Sequence, residues 1–83
     1  MIKISTILEE EGIKEYLISR NLLERYKMAK DKLIISSRIR WLDFKIREPK
    51  RDRIFSFRIN EKWRAYGYYK DSIFIVSKIS DHQ

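Results

Sequence analysis

Two arginines, Arg58 and Arg64, flank a polar turn in the run Phe55-Ser-Phe-Arg-Ile-Asn-Glu-Lys-Trp-Arg64. A three-residue hairpin loop at Asn60, Glu61 and Lys62 sets Ile59 opposite Trp63 and Arg58 opposite Arg64. A two-residue loop would set Arg64 opposite Phe57, so the alternation of apolar and polar side chains argues for three. That register puts two guanidinium groups beside each other on the open face of a sheet. Like charges so placed are destabilising unless an anion lies between them. The pair therefore points to an anionic ligand.

The rest of the chain narrows the chemistry. It has no Cys, no Gly-x-Ser-x-Gly and no Gly-rich phosphate loop, and its one His leaves no Cys/His metal set. A reaction that needs only cations and proton carriers is still open. Attack of an RNA 2′-OH on its own phosphate is one. It needs a base for the 2′-OH, cations for the crowded phosphate and an acid for the leaving 5′-oxygen. His82, with an unperturbed pKa of about 6.5, suits proton transfer near neutrality. As the penultimate residue it can equally be a frayed tail. Asp81 beside it can orient the imidazole or take part directly. Lys45, Arg47, Lys50, Arg51 and Arg53 read as phosphate-positioning residues; Arg58 can assist them or pair with an Asp or Glu elsewhere, and Arg64 can equally be a surface strand arginine. Tyr66 and Tyr68 share the Arg64 face, where they can stack on bases or simply pack.

Charge supports a polyanionic partner. Nineteen Lys and Arg against twelve Asp and Glu give a net +7 on 83 residues. Residues 38–64 hold ten bases against four acids, whereas residues 1–24 hold five acids against three bases. A concentrated basic surface on a small domain suits nucleic acid, the alternative being a merely solvated face. A chain of this length buries only about 60–65% of its unfolded surface. With no disulfide or metal as a staple, its core must come from packing, and the 43% hydrophobic content with eleven aromatic residues suits that. No apolar run approaches the roughly 18 residues of a membrane span, and Met1-Ile-Lys-Ile lacks the form of an export signal. The expectation is a single cytoplasmic domain over 1–83, with no membrane role.

These side chains need a scaffold. Phe55–Asn60, Trp63–Tyr68 and Ile73–Ile79 are β-branched and aromatic runs separated by polar turns, the pattern of an antiparallel meander. Ile2–Ser5 reads as a short edge strand. Thr6-x-x-Glu9 has the form of a capping box, so a helix is expected from there, interrupted by Gly12, with Glu9–Glu11 complementing its N-terminal dipole. Asn21-x-x-Glu24 repeats the form, and Leu22, Tyr26, Ala29 and Leu33 then fall on one helical face. Within Arg38–Ile46, alternation groups Arg40, Leu42, Phe44 and Ile46 against Ile39, Trp41 and Asp43, which suggests a strand toward Ile46, broken at Glu48-Pro49. The fold expected is α+β: an N-terminal strand and a two-helix hairpin on a twisted, mainly antiparallel sheet.

The residues Phe57-Arg58-Ile59-Asn60-x-x-x-Arg64-Ala65, preceded by Arg47-Glu48-Pro49-Lys50 and closed by Ser80-Asp81-His82-Gln83, resemble the RelE/ParE superfamily of bacterial toxins. Within it the chain is most similar to the RelE, YoeB and HigB type. The likeness covers the C-terminal half in detail and the remainder by layout. It implies a RelE-like fold and a metal- and cofactor-independent endoribonuclease that cuts mRNA in the ribosome. It also implies a cognate antitoxin that covers the basic face. It assigns phosphate stabilisation to Arg64, proton transfer to His82 and a general-base role to Glu48, which otherwise is a connector acid able to pair with Lys50 or Arg51. The residues themselves leave open which group is acid and which is base. Gln83 departs from the pattern, standing where a Tyr is expected, and Gln neither stacks on a base as Tyr does nor acts as an acid. Two alternatives belong to other classes: a ParE-like gyrase inhibitor without nuclease activity, and a catalytically silent antitoxin-binding member.

Overall fold

A computed structural model describes residues 2–81. Two helices pack on one face of a five-stranded mixed sheet. The strands are β1 (Thr6–Glu9), β2 (Lys45–Ile46), β3 (Ile54–Arg58), β4 (Arg64–Lys70) and β5 (Ile73–Ser80), in the order β1-β5-β4-β3-β2. β1 runs parallel to β5, and the other pairings are antiparallel. The helices are α1 (Ile13–Ser19) and α2 (Leu23–Ile35). The α+β class and the meander expected from sequence are both present.

Four local expectations are corrected. The first strand is Thr6–Glu9 and not Ile2–Ser5, so Thr6 and Glu9 form no capping box. Pairing with Ile73–Val76 claims the backbone of this segment, and Ile7 enters the core; tertiary context overrides the local cap signal. Glu9 instead accepts hydrogen bonds from the Tyr26 hydroxyl (2.7 Å) and Lys30 Nζ (3.0 Å), which ties α2 to the sheet. Gly12 does not interrupt a helix but precedes one, at φ 90°, a left-handed value that suits Gly. The second helix begins where expected, yet Asn21 makes no side-chain cap; at φ 59° it takes the left-handed turn between α1 and α2.

The fourth correction concerns residues 38–46. Arg40–Leu42 form a 3₁₀ turn, Asp43 is left-handed (φ 48°, ψ 46°), and β2 is only two residues long. Leu42 is fully buried and Phe44 and Ile46 pack against the core, but the alternation is lost: Arg40 is exposed, and Ile39 and Trp41 of the opposite set pack against the core as well. Phe44 stacks on Phe55 with centroids 5.3 Å apart and meets Phe74 edge-on.

The core between helices and sheet joins Leu17, Tyr26, Ala29 and Leu33 to Phe57, Ile59, Phe74 and Val76. All four α2-face residues expected inside (Leu22, Tyr26, Ala29, Leu33) are buried. The β3–β4 turn has three residues, as the apolar pattern requires. Asn60 Oδ1 accepts the backbone N–H groups of Lys62 and Trp63, both at 2.8 Å, and Ile59 N–H donates to the Trp63 carbonyl. At Gly67 the register of β4 on β5 shifts by one residue, and a Cβ there would collide with the Ile75 carbonyl oxygen.

Candidate nucleic-acid interface

Parity places every second residue on the sheet face turned away from the helices, and the registers arrange these residues in rows. Arg58 lies opposite Arg64, and Arg64 opposite Ser80. In the next row Lys45, Ser56, Tyr66 and Lys78 are successive partners across four strands. A third row holds Ile54, Tyr68, Ile75 and Leu8, with Arg47 beside Ile54 through its backbone N–H. The face is graded: cationic where β3 turns into β4, aromatic and aliphatic farther along.

Arg64 is the centre of the cationic end, though not as an open-face arginine. Its relative exposure is 1%. Nε and Nη2 donate to Ser56 Oγ (3.1 and 2.9 Å), Nη2 also to the Asp43 carbonyl oxygen (2.6 Å), and Nη1 to Asp43 Oδ2 (3.1 Å). Four of its five N–H donors are thus engaged. The anion required by the Arg58–Arg64 pairing comes from the chain itself. Asp43 also meets Lys45 Nζ at 3.3 Å. Burial pulls the Asp43 pKa upward, but the Lys45 hydrogen bond and the charges of Arg64, Lys45 and Arg58 outweigh it and hold the carboxyl below its usual range. For Arg64, burial is the strongest influence and lowers its pKa; Asp43 opposes it, and Arg47 and Arg58 add repulsion. An Arg nevertheless stays cationic at neutral pH.

The other expected residues divide into groups. Lys45, Arg47, Arg58 and Tyr66 gather around Arg64, with the Arg47 guanidinium 5.6 Å from the Tyr66 ring centroid. Tyr68 stands in the third row, and its hydroxyl donates to Glu10 (3.0 Å), which raises its pKa. Asp81 follows Ser80, Arg64's partner, and lies 3.9 Å from Lys62. His82 and Gln83 fall outside the described residues. Glu48, Lys50 and Arg51 are exposed beyond the third row, in the connector with a cis Glu48–Pro49 peptide. Glu48 makes no ion pair with Lys50 or Arg51 among the described residues. At roughly 3.3 Å per strand residue, two rows are about 13 Å, so Glu48 and Arg64 are not brought together. Arg53 leaves the cationic rows, its guanidinium 6.0 Å from the Phe55 ring on the opposite face.

Sequence reasoning missed Asp43 as Arg64's partner, and also Ser56 and Lys78. The signal for Asp43 was present: adjacent arginines demand an anion, and only four acids lie within residues 38–64. Among the described residues no group of acids and His can hold a metal ion. No helix is long and apolar enough to cross a membrane among those residues. No protein-family model matches the chain, and no curated protein matches it either.

Proposed function

We propose that this chain is the toxin of a type II toxin–antitoxin pair, an endoribonuclease similar to the RelE-type enzymes that cut mRNA on the ribosome. The observation that carries this reading is the convergence of Lys45, Arg47, Arg58, Arg64 and Lys78 around Tyr66 in neighbouring rows of one sheet face. Five cations outnumber the nearby carboxylates Asp43 and Asp81 and suit a phosphodiester, and Tyr66 offers a ring to a base. Arg58, Lys45 and Lys78 are more accessible than Arg64 and make the first phosphate contacts. Arg64 supplies a fixed charge beneath them and reaches the phosphate when that anion takes the place of the Asp43 carboxylate.

Proton transfer falls to His82, oriented by Asp81. β5 ends opposite Arg64 at Ser80, so Asp81 follows directly from the row that holds the arginines. Glu48 is separated from that row, which makes it the weaker candidate for the base. In this chemistry the 2′-oxygen bonds to phosphorus as its proton leaves, and the 5′-oxygen departs with a proton from the acid. The cognate antitoxin, in this reading, covers the same cationic rows with an acidic segment.

A binding-only member is the second reading, favoured by the Asp43 carboxylate already seated on Arg64. Mapping new 5′ ends on a translated reporter mRNA separates the two. Cuts made by the wild type and lost in Arg58→Ala and His82→Ala support the nuclease. Growth arrest with intact mRNA overturns it and turns attention to gyrase.

A further inference from the structure

Residues 36–44 run from the end of α2, on the helix side of the sheet, to Asp43, which grips Arg64 on the other side. Their 3₁₀ turn carries Trp41 against the exposed edge of α2. Trp41, Arg25, Met28 and Lys32 line a cleft of about 410 Å³ there, within the roughly 300–1,000 Å³ range of small-ligand sites. The three α2 residues are spaced i, i+3 and i+7 and so form one stripe. Arg25 lies with its guanidinium 5.9 Å from the Trp41 ring centroid, and Met28 is 56% exposed. Neither Arg25 nor Lys32 makes an ion pair among the described residues.

We infer that this cleft is a stacking site for one unpaired nucleobase of single-stranded RNA, with Arg25 and Lys32 holding the flanking phosphates. The chemistry is that of sequence-tolerant single-strand binding: an aromatic face and an apolar thioether for the base, cations for the backbone. Continuity with the cationic sheet face supports RNA over an isolated small ligand. Arg25 also lines the neighbouring cleft with Asn60, Glu61 and Lys62. That turn joins Arg58 to Arg64, so one path runs from Trp41 past Arg25 to the arginine row. The inference rests on the reading that the partner is RNA and adds a second contact point outside the sheet.

The test uses the full chain and a fluorescein-labelled hexanucleotide of 2′-O-methyl residues, which lacks the 2′-OH and cannot be cut by the proposed route. Anisotropy gives the affinity. Stacking of about 1–3 kcal/mol per base corresponds to roughly 5- to 150-fold weaker binding for Trp41→Ala. Trp41→Phe keeps a ring and should lose less. Met28→Glu, at an exposed position, should weaken binding without touching the core, and thermal unfolding of each variant separates lost binding from lost fold. Arg25→Ala and Lys32→Ala should each reduce the salt slope by about 0.7, as expected for one phosphate contact to a single strand. Folded Trp41→Ala and Met28→Glu proteins that bind like wild type would overturn the inference, as would no hexanucleotide binding by the wild type. Cuts in the reporter mRNA without Trp41-dependent binding would leave the nuclease standing and remove only this site. Trp41-dependent binding without cuts would do the reverse.

Discussion

Arg64 holds Asp43 by two routes at once, through the carboxylate at 3.1 Å and through the backbone carbonyl at 2.6 Å. The second bond matters for the chain path, because Asp43 is a non-Gly residue in left-handed backbone. Such a conformation costs an L-residue roughly 1–2 kcal/mol and is tolerated best by Asn, Asp and Gly. The side chain of one strand thus fixes the loop that closes over it. Asp43→Asn keeps the backbone preference and removes the charge, and should lower stability by about 1.5 kcal/mol, the lower end for a hydrogen bond to a charged group because the carboxylate is partly exposed. Asp43→Ala adds the left-handed cost and should lose more. Arg64→Ala empties a buried position and should lose the most, roughly 3–5 kcal/mol. Urea denaturation of the three variants checks the order. An Asp43→Ala protein as stable as wild type would show that the clamp contributes nothing.

The same carboxylate sets an acid limit. Its folded pKa lies below the unfolded value of about 3.9. The stabilisation from this group is therefore complete above that unfolded value and disappears as pH falls through the folded one. In a Tm series from pH 6 to pH 2, the wild type should fall more steeply below about pH 4 than Asp43→Asn. Parallel curves would mean that Asp43 titrates alike in both states.

Gly67 offers a stability test remote from the arginines. Its α-carbon faces the Ile75 carbonyl across the register shift, and the obstacle is backbone, not the end of a flexible side chain. Gly67→Ala must therefore displace β5. A loss of about 3 kcal/mol or more is expected, at the upper end of overpacking costs. Because β5 also carries Ser80 to Arg64, RNA binding should weaken with it.

Much of this architecture was legible because it rested on short-range alternation. The β3–β4 register followed from placing Phe57, Ile59 and Trp63 on one side, and the buried stripe of α2 from four residues at helical spacing. Failures came where a distant partner decided. Thr6–Glu9 carries a helix-start pattern, and only β5, more than sixty residues away, makes it a strand. Asp43 sits in an alternating run, and only Arg64, 21 residues on, makes its left-handed backbone sustainable. At the candidate site, the pairing of two arginines was readable from loop length. That the required anion is internal, and that Arg64 is consequently buried, depended on the path of residues 38–46.

Arg58 and Arg64 should consequently behave as different kinds of residue, although they face each other across two strands. Arg58 is half-buried, with no side-chain hydrogen bond or ion pair among the described residues, whereas Arg64 is locked by Asp43 and Ser56. Removing Arg58 relieves repulsion with Arg64 and gives up attraction to Asp43, two effects of opposite sign. Arg58→Ala should therefore leave stability within about 0.5 kcal/mol. Its effect should appear in RNA cleavage, lowered roughly 100-fold or more, as for loss of one preorganised charge-stabilising group. Arg58→Lys should restore only part of the rate, since an ammonium cannot grip a phosphate bidentately. Single-turnover cleavage beside urea denaturation distinguishes the cases. A variant that unfolds easily but cuts normally would make Arg58 structural and shift the phosphate contact to Lys45 and Lys78.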